Sequence, residues 1–182
     1  MPGFRSTTHI DARRSEVWKA IADLGDVEAF HPGVTKSYYT SEQTEGVGAS
    51  RRCELKPMGS VDERAIDWSP GKSVTLEVKP GPMGPPFKWA QGRMWVDEDG
   101  DGTRAGLEFE YRLKFGPIGL LLDRLVIRRQ FEKMIPAVLR GLKDHLEQRE
   151  GDSHRSVEAA WVSCSRRSQM KQCARFSVGS DY

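Results

Sequence analysis

The stretch from Phe115 to Glu147 constrains the fold more than any other part of this chain. Its apolar residues recur at steps of three and four, which places them on one side of a long helix. These residues are Leu121, Leu122, Leu125, Ile135, Leu139, Leu142 and Leu146. A helix with one wide apolar stripe has to lie on another apolar surface. We expect the preceding segment, residues 37–114, to supply that surface.

The helix is expected to be irregular. Gly116 and Pro117 mark its start, since proline suits a position just ahead of the first turn. Pro136 removes one backbone donor and predicts a kink in the preceding turn, unless two shorter helices meet there. Such a kink either follows the curvature of the sheet or opens a cavity. Arg128 and Glu132 interrupt the apolar stripe, and either form a solvated pair or supply a pocket with a polar group.

The segment before the helix has the pattern of short strands separated by turns. Residues 4–10 predict a first strand, and Ser15 predicts the N-cap of a short helix that ends near Gly25. A second helical turn is expected at residues 26–30. Six further strands are predicted at residues 35–41, 49–56, 61–68, 72–79, 87–96 and 104–115. Together they indicate a curved antiparallel sheet that grips the long helix, and a gap between the two would be a pocket.

Alternation along the strands predicts which side chains face the helix. Val74, Leu76 and Val78 alternate with polar residues in one strand. The last strand is the clearest, with Leu107, Phe109, Tyr111 and Leu113 on one face and charged residues on the other. In residues 87–96 both faces are partly apolar, so the inward face stays open.

Charge and cysteine content exclude several classes of protein. The 28 basic and 26 acidic residues are well mixed, which argues against binding of nucleic acid. The three cysteines form no CxxC pair and have no histidine at ligand spacing, so neither a disulfide framework nor a metal site is indicated. A cytoplasmic location is the simplest expectation. No apolar run reaches the length of a membrane span, and we expect no stable membrane insertion.

Two further segments are assigned no site. The DEDGDG sequence at residues 97–102 resembles part of a calcium loop but lacks the glutamate at the twelfth position, and it is predicted to be a solvated hairpin turn. Residues 151–182 are rich in Ser, Arg and Gln with little periodicity. We therefore expect a folded domain at residues 1–150 and a poorly ordered tail after it.

Four stretches carry a resemblance to a known family. They are IDARRSEVWKAIADLGDVEAFHPGV, EGVGASRRCELK, VDERAIDW and FGPIGLLLDRLVIRRQFEKMIPAVLRGLKDHLE. Over residues 4–148 the chain resembles the polyketide cyclase/dehydrase and lipid-transport family of the START-like (SRPBCC) superfamily. The resemblance implies an α+β helix-grip fold: a seven-stranded curved antiparallel sheet around a long C-terminal helix, with short helices after the first strand. It also implies a cavity that binds or transports a small hydrophobic ligand, without a cofactor.

The resemblance also suggests site residues. Matching positions are Trp18, the His31-Pro32-Gly33 turn, Gly48, Arg52 and Glu63-Arg64. Arg52 and Glu63 are expected near each other across a hairpin, either as a cross-strand ion pair or as a cavity pair that orients a polar ligand group. The expected cavity-lining residues are Trp18, Phe30, Arg52, Glu63, Val74, Leu76, Val78, Leu107, Phe109, Tyr111, Leu113, Leu125 and Glu132.

Three functions are compatible with the sequence. Binding or transport of a lipid, sterol-like or aromatic polyketide ligand needs only a dry pocket with a few polar groups. An aromatase/cyclase-like enzyme needs an acid or base, for which Tyr111, Arg93, Glu63, Arg52 and His31 are candidates without a recognisable catalytic motif. A protein interaction module would use exposed aromatic residues. The sequence leaves the ligand and the oligomeric state undetermined.

Overall fold

The computed structural model describes residues 3–57, 59–84, 86–114 and 127–149. Contacts divide the chain into two units, Met1–Glu147 and Gln148–Tyr182, and the first contains the sheet described below. The predicted tail at residues 151–182 lies outside the described residues. So do the predicted helix start at Gly116 and Pro117 and the stripe residues Leu121, Leu122 and Leu125.

Seven strands form one antiparallel sheet in the described residues. They are β1 Gly3–Ile10, β2 Val34–Tyr39, β3 Ser50–Leu55, β4 Gly59–Ser69, β5 Ser73–Pro80, β6 Phe87–Asp99 and β7 Gly102–Leu113. Their order across the sheet is β1-β7-β6-β5-β4-β3-β2, so all neighbours except β1 and β7 are joined by consecutive connections. The register places Phe4 of β1 opposite Phe109 of β7. The predicted curved seven-stranded sheet is confirmed.

Short helical elements connect β1 to β2, as predicted. Helix α1 covers Arg14–Ala22, and a 3-10 helix covers Val27–Ala29. The N-cap of α1 is Arg13 rather than the predicted Ser15. The physical reason is that the Glu16 carboxylate accepts the Arg13 backbone N–H at 3.2 Å, which satisfies a donor that has no partner within the helix.

The C-terminal helix α2 covers residues 128–149 and continues without interruption through Pro136. Val138, Leu139 and Leu142 on its inner side are at most 2% exposed. The helix also lies very close to the end of the 3-10 helix, where a Cβ atom added to Gly141 would overlap the carbonyl oxygen of Phe30. The sheet thus holds α2 along the predicted stripe, which confirms the helix-grip architecture.

The structure resolves which face of β6 points inward. Ala90 and Val96 are fully buried there, whereas Trp95 lies on the opposite face with the Arg5 guanidinium 5.8 Å from its ring centre. Phe87 also faces inward because the register with β7 shifts between Phe87 and Trp89. A β-bulge of this kind moves the preceding residue to the other face.

Candidate ligand-binding cavity

A cavity of about 490 Å³ lies between the inner face of the sheet and α2. Most of the side chains that line it are apolar. They include Phe30, Val74, Leu76, Val78, Phe87, Met94, Leu107, Phe109, Phe131, Met134, Ile135 and Val138. This volume is typical of sites that bind small organic molecules.

Aromatic rings form one wall of the cavity. Phe109 of β7 stacks on Phe131 of α2, with ring centres 4.8 Å apart, and Phe87 of β6 lies within 6.0 Å of both. Tyr111 stacks on Phe131 at 5.4 Å and is fully buried, but it supports this wall rather than lining the cavity. Stacked and tilted aromatic pairs stabilise one another beyond the area they bury, and their ring faces and edges form an apolar surface suited to a flat apolar molecule.

The cavity wall is polar, rather than apolar, where β3 and β4 line it. The hairpin register pairs Arg51 with Glu63. Arg51 Nε and Nη2 each lie 2.6 Å from Glu63 Oε2, and the two side chains are only 8% and 16% exposed. Arg51 Nη1 donates to the carbonyl oxygen of Leu24 at 3.1 Å. Burial alone would lower the pKa of Arg51, but the adjacent Glu63 carboxylate raises it, so the guanidinium stays charged.

The expected partner of Glu63, Arg52, faces away from the cavity. Its guanidinium pairs with Asp62 at 2.7 and 2.8 Å, and both side chains are 41% exposed. The hairpin pairs Leu55 with Gly59, and this register sets Arg51, not Arg52, across from Glu63. Because neighbouring residues of a strand point to opposite faces, a shift of one residue moves the arginine from inside to outside.

His31 reaches the same end of the cavity from the segment after the 3-10 helix. Its Nδ1 accepts the Gly33 backbone N–H at 3.1 Å, so the neutral ring carries its proton on Nε2. Burial lowers the pKa of His31 from its usual 6.5, an effect that Glu63 opposes and Arg51 reinforces. The ring is therefore neutral at pH 7.

Cys53 also lines this end of the cavity, although no sequence motif singles it out. Its Sγ lies 3.8 Å from Glu63 Oε2 and 3.7 Å from the hydroxyl of Ser37. Burial, together with the nearby Glu63 charge, raises the pKa of Cys53 to about 12. The thiol stays protonated at neutral pH, so it contributes packing and a weak hydrogen bond rather than a nucleophile.

The remaining expected site residues have other positions. Phe30, Glu63, Val74, Leu76, Val78, Leu107 and Phe109 line the cavity. Trp18 packs edge-on against Trp68 at 5.7 Å, away from the cavity lining, and Leu113 is a half-buried residue packed against the core. Glu132 is exposed and pairs with Arg128 at 3.2 Å, because one helical turn separates them on the outer side of α2. Leu125 lies outside the described residues.

Neither a metal-binding group of side chains nor a membrane-spanning helix occurs in the described parts of the chain. There, no group of three or more His, Cys, Asp or Glu side chains is arranged to hold a metal ion. Asp99, the last residue of β6, bonds His9 at 3.2 Å and Arg104 at 2.6 Å. No helix of the described residues has the length and apolar character needed to cross a membrane.

The chain matches a known protein family. A family model described as "Polyketide cyclase / dehydrase and lipid transport" matches residues 1–147. No curated protein sequence matches the chain.

Solved structures with the same fold include proteins of varied description. A protein from Thermus thermophilus is 21% identical with a TM-score of 0.67, and the match covers 81% of this chain and 98% of that one. The aromatase/cyclase Zhui from a Streptomyces species is 18% identical with a TM-score of 0.67, over 81% and 94% of the two chains. A START superfamily protein from Mycobacterium smegmatis is 12% identical with a TM-score of 0.63, over 80% and 97%. At these identities the likeness concerns the fold alone.

Proposed function

This chain belongs to the polyketide cyclase/dehydrase and lipid transport family, and we propose that its cavity binds or transports a small hydrophobic molecule, such as a lipid, a sterol-like compound or an aromatic polyketide. The helix-grip fold is a ligand-binding fold in this family, and the cavity gives the proposal its physical basis. Protein interiors are normally packed without voids much larger than a water molecule. A space of about 490 Å³ lined by phenylalanine, valine and leucine is therefore suited to an apolar guest.

The proposal is tested by filling the cavity. Val78 is buried in the cavity wall, whereas Val47 is 60% exposed in a loop, so the same change can be made at both. The neutral fluorescent probe N-phenyl-1-naphthylamine should bind the native protein. Val78→Phe should weaken that binding roughly tenfold or more, and Val47→Phe should leave it unchanged. Equal effects of the two changes, or no binding to the folded native protein, would refute the proposal.

Native mass spectrometry of protein purified from its own host supplies a second test. A carrier should retain a lipid, sterol-like or aromatic metabolite, and Val78→Phe should reduce the retained fraction. A native protein that is consistently purified without any bound molecule would count against carriage.

A second candidate, an aromatase/cyclase-like enzyme, is favoured by His31 and Glu63 lying at one end of the cavity. A neutral imidazole beside a carboxylate can move protons in the reacting part of a bound substrate. The enzyme should convert a linear polyketide mimic, and His31→Asn should abolish turnover while probe binding persists. Binding without any turnover by the native protein would leave carriage as the function.

A further inference from the structure

The polar end of the cavity has no net charge. Arg51 and Glu63 cancel each other, and His31 is neutral at pH 7. The other charged residues that line the cavity, Lys56 and Lys133, are exposed to solvent, where their charges are screened. A ligand that reaches the inner polar end therefore contacts a neutral imidazole and an ion pair whose charges cancel, and no uncompensated charge.

Two atoms at this end are free to bond a ligand. Glu63 Oε2 is occupied by Arg51 and the Cys53 thiol, whereas Glu63 Oε1 has no partner among the described residues. His31 Nδ1 is occupied by the Gly33 N–H, whereas the Nε2–H has no partner there. Within the same residues, Trp95 Nε1 is the single fully buried polar side-chain atom that lacks a hydrogen bond. Oε1 and Nε2 are therefore not fully buried, and because Glu63 and His31 both line the cavity, one offers an acceptor and the other a donor to a ligand there.

Building on the proposed function, we propose that the ligand carries a neutral hydroxyl group, phenolic, enolic or alcoholic, which donates a hydrogen bond to Glu63 Oε1 and accepts one from His31 Nε2. A hydroxyl satisfies both atoms at once, because it has one donor and two acceptor sites. A methoxy group or a ketone would leave Glu63 Oε1 unpaired. Fatty acid carboxylates and phosphates are excluded from this end.

The exclusion of anions follows from the charges already present. Arg51 directs all three of its nitrogens to Glu63 or to the Leu24 carbonyl, so its charge is already compensated. A carboxylate placed beside Glu63 would bring a second negative charge into a region of low dielectric with no free counter-charge. Burying such a charge is strongly unfavourable unless it is paired.

The experiment compares three naphthalenes that differ only in their polar group. At pH 7.5, 2-naphthol, 2-methoxynaphthalene and 2-naphthoate displace N-phenyl-1-naphthylamine from the full-length native protein. We expect 2-naphthol to bind roughly tenfold more tightly than 2-methoxynaphthalene and 2-naphthoate to bind most weakly. Equal affinities for naphthol and methoxynaphthalene, or preference for naphthoate, would overturn the hydroxyl inference. Failure of the probe itself to bind would instead refute the proposed function.

Variants identify the atoms involved. Glu63→Gln removes the charged acceptor and leaves Arg51 without a counter-charge, so the preference should reverse from 2-naphthol to 2-naphthoate. The matched control is Asp62→Asn, the adjacent carboxylate in the outer ion pair, which should change no affinity. An unchanged preference in folded Glu63→Gln would overturn the inference.

His31→Asn supplies a test that does not depend on the ion pair. Asparagine can still accept the Gly33 N–H through its side-chain oxygen, but the Nε2 donor is lost. The affinity for 2-naphthol should fall several-fold, and by more than the affinity for N-phenyl-1-naphthylamine, which has no hydroxyl group. If Glu63→Gln does not fold, as judged by circular dichroism, this variant and the native probe series decide the question; an undiminished naphthol affinity in His31→Asn would overturn the inference.

Discussion

At the scale of single residues, Arg51 and Arg52 show how far strand alternation separates two neighbours in sequence. Arg51 is buried and forms an ion pair with Glu63, while Arg52 lies at the surface and forms an ion pair with Asp62. Removing one partner of a buried ion pair leaves the other charge uncompensated, whereas a surface pair contributes little.

The two arginines therefore provide a matched pair of substitutions. Arg51→Gln should lower the free energy of unfolding by about 3–5 kcal/mol, because Glu63 would remain buried without its counter-charge. Arg52→Gln should lower it far less. Denaturant unfolding followed by circular dichroism measures the free energy of unfolding of both variants. Equal losses of stability would show that Arg51 and Glu63 do not form a buried ion pair.

His31 should make stability depend on pH. Its pKa is lowered in the folded protein, mainly by burial, so the unfolded chain binds the proton more readily. The stabilisation is complete above the unfolded pKa of about 6.5 and is lost as the pH falls through the lower folded pKa. His31→Asn should remove this loss, which amounts to at most about 1.4 kcal/mol per pH unit. Unfolding titrations between pH 7.5 and 5 should show a flatter profile for the variant; parallel profiles would contradict the burial of His31.

The sequence predicted Glu63 as a polar cavity residue but assigned its partner to Arg52. An error of one residue in the hairpin register is enough to exchange Arg51 for Arg52, since the sequence does not reveal at which residues the chain turns between β3 and β4. Cys53 lies two residues from Arg51 and so shares its face, but a lone cysteine in a strand carries no signal of its own. Burial of His31 depends on the packing of distant segments, which no local pattern reports.

At the scale of elements, the contact between α2 and the 3-10 helix depends on one glycine. Alanine normally stabilises a helix relative to glycine by about 1 kcal/mol. At Gly141 its Cβ would collide with the backbone oxygen of Phe30, so α2 would have to move outward.

Gly141→Ala should therefore destabilise the protein by about 1–3 kcal/mol despite the better helix former. Arg140→Ala, at an exposed neighbouring position, tests the effect of helix propensity alone and should be close to neutral. Thermal unfolding compares the two. A higher melting temperature for Gly141→Ala would mean that the helix does not approach Phe30 this closely.

The sequence predicted the inward face of a strand where the other face was polar, and left it open where neither face was clearly polar. The alternation in β5 and β7 identified the inward residues Val74, Leu76, Val78, Leu107 and Phe109. In β6 both faces contain apolar residues, and the bulge near Phe87 changes the alternation without altering the composition. Backbone register decides such cases, and it is settled by pairing with β7 rather than by β6 itself.

At the scale of the whole molecule, the extent of the domain stays a prediction. Both the family match and the first structural unit end at residue 147. We propose that residues 1–150 fold without residues 151–182. Deleting the latter should change the melting temperature by less than about 2 °C, measured by circular dichroism. A loss of several degrees would show that those residues contribute to the stability of the domain.

The existence of a helix-grip fold could be inferred from the sequence, but the character of its cavity could not. Periodicity indicates which side chains point inward, not whether they fill the space between sheet and helix. Whether a cavity remains depends on how Phe87, Phe109 and Phe131 pack against one another. Its polarity depends on where the Arg51–Glu63 pair lies. Such packing is a property of the assembled molecule.

The pairing of β1 with β7 also bears on how the protein is made. Strand β1 leaves the ribosome before the rest of the sheet, yet its neighbour β7 begins only at Gly102. At ordinary translation rates of roughly 5–20 residues per second, about 5–20 s pass before that neighbour exists. During synthesis Phe4 and Ile10 have no neighbouring strand to pair with, so nascent β1 stays unpaired for longer than any other strand of the described sheet.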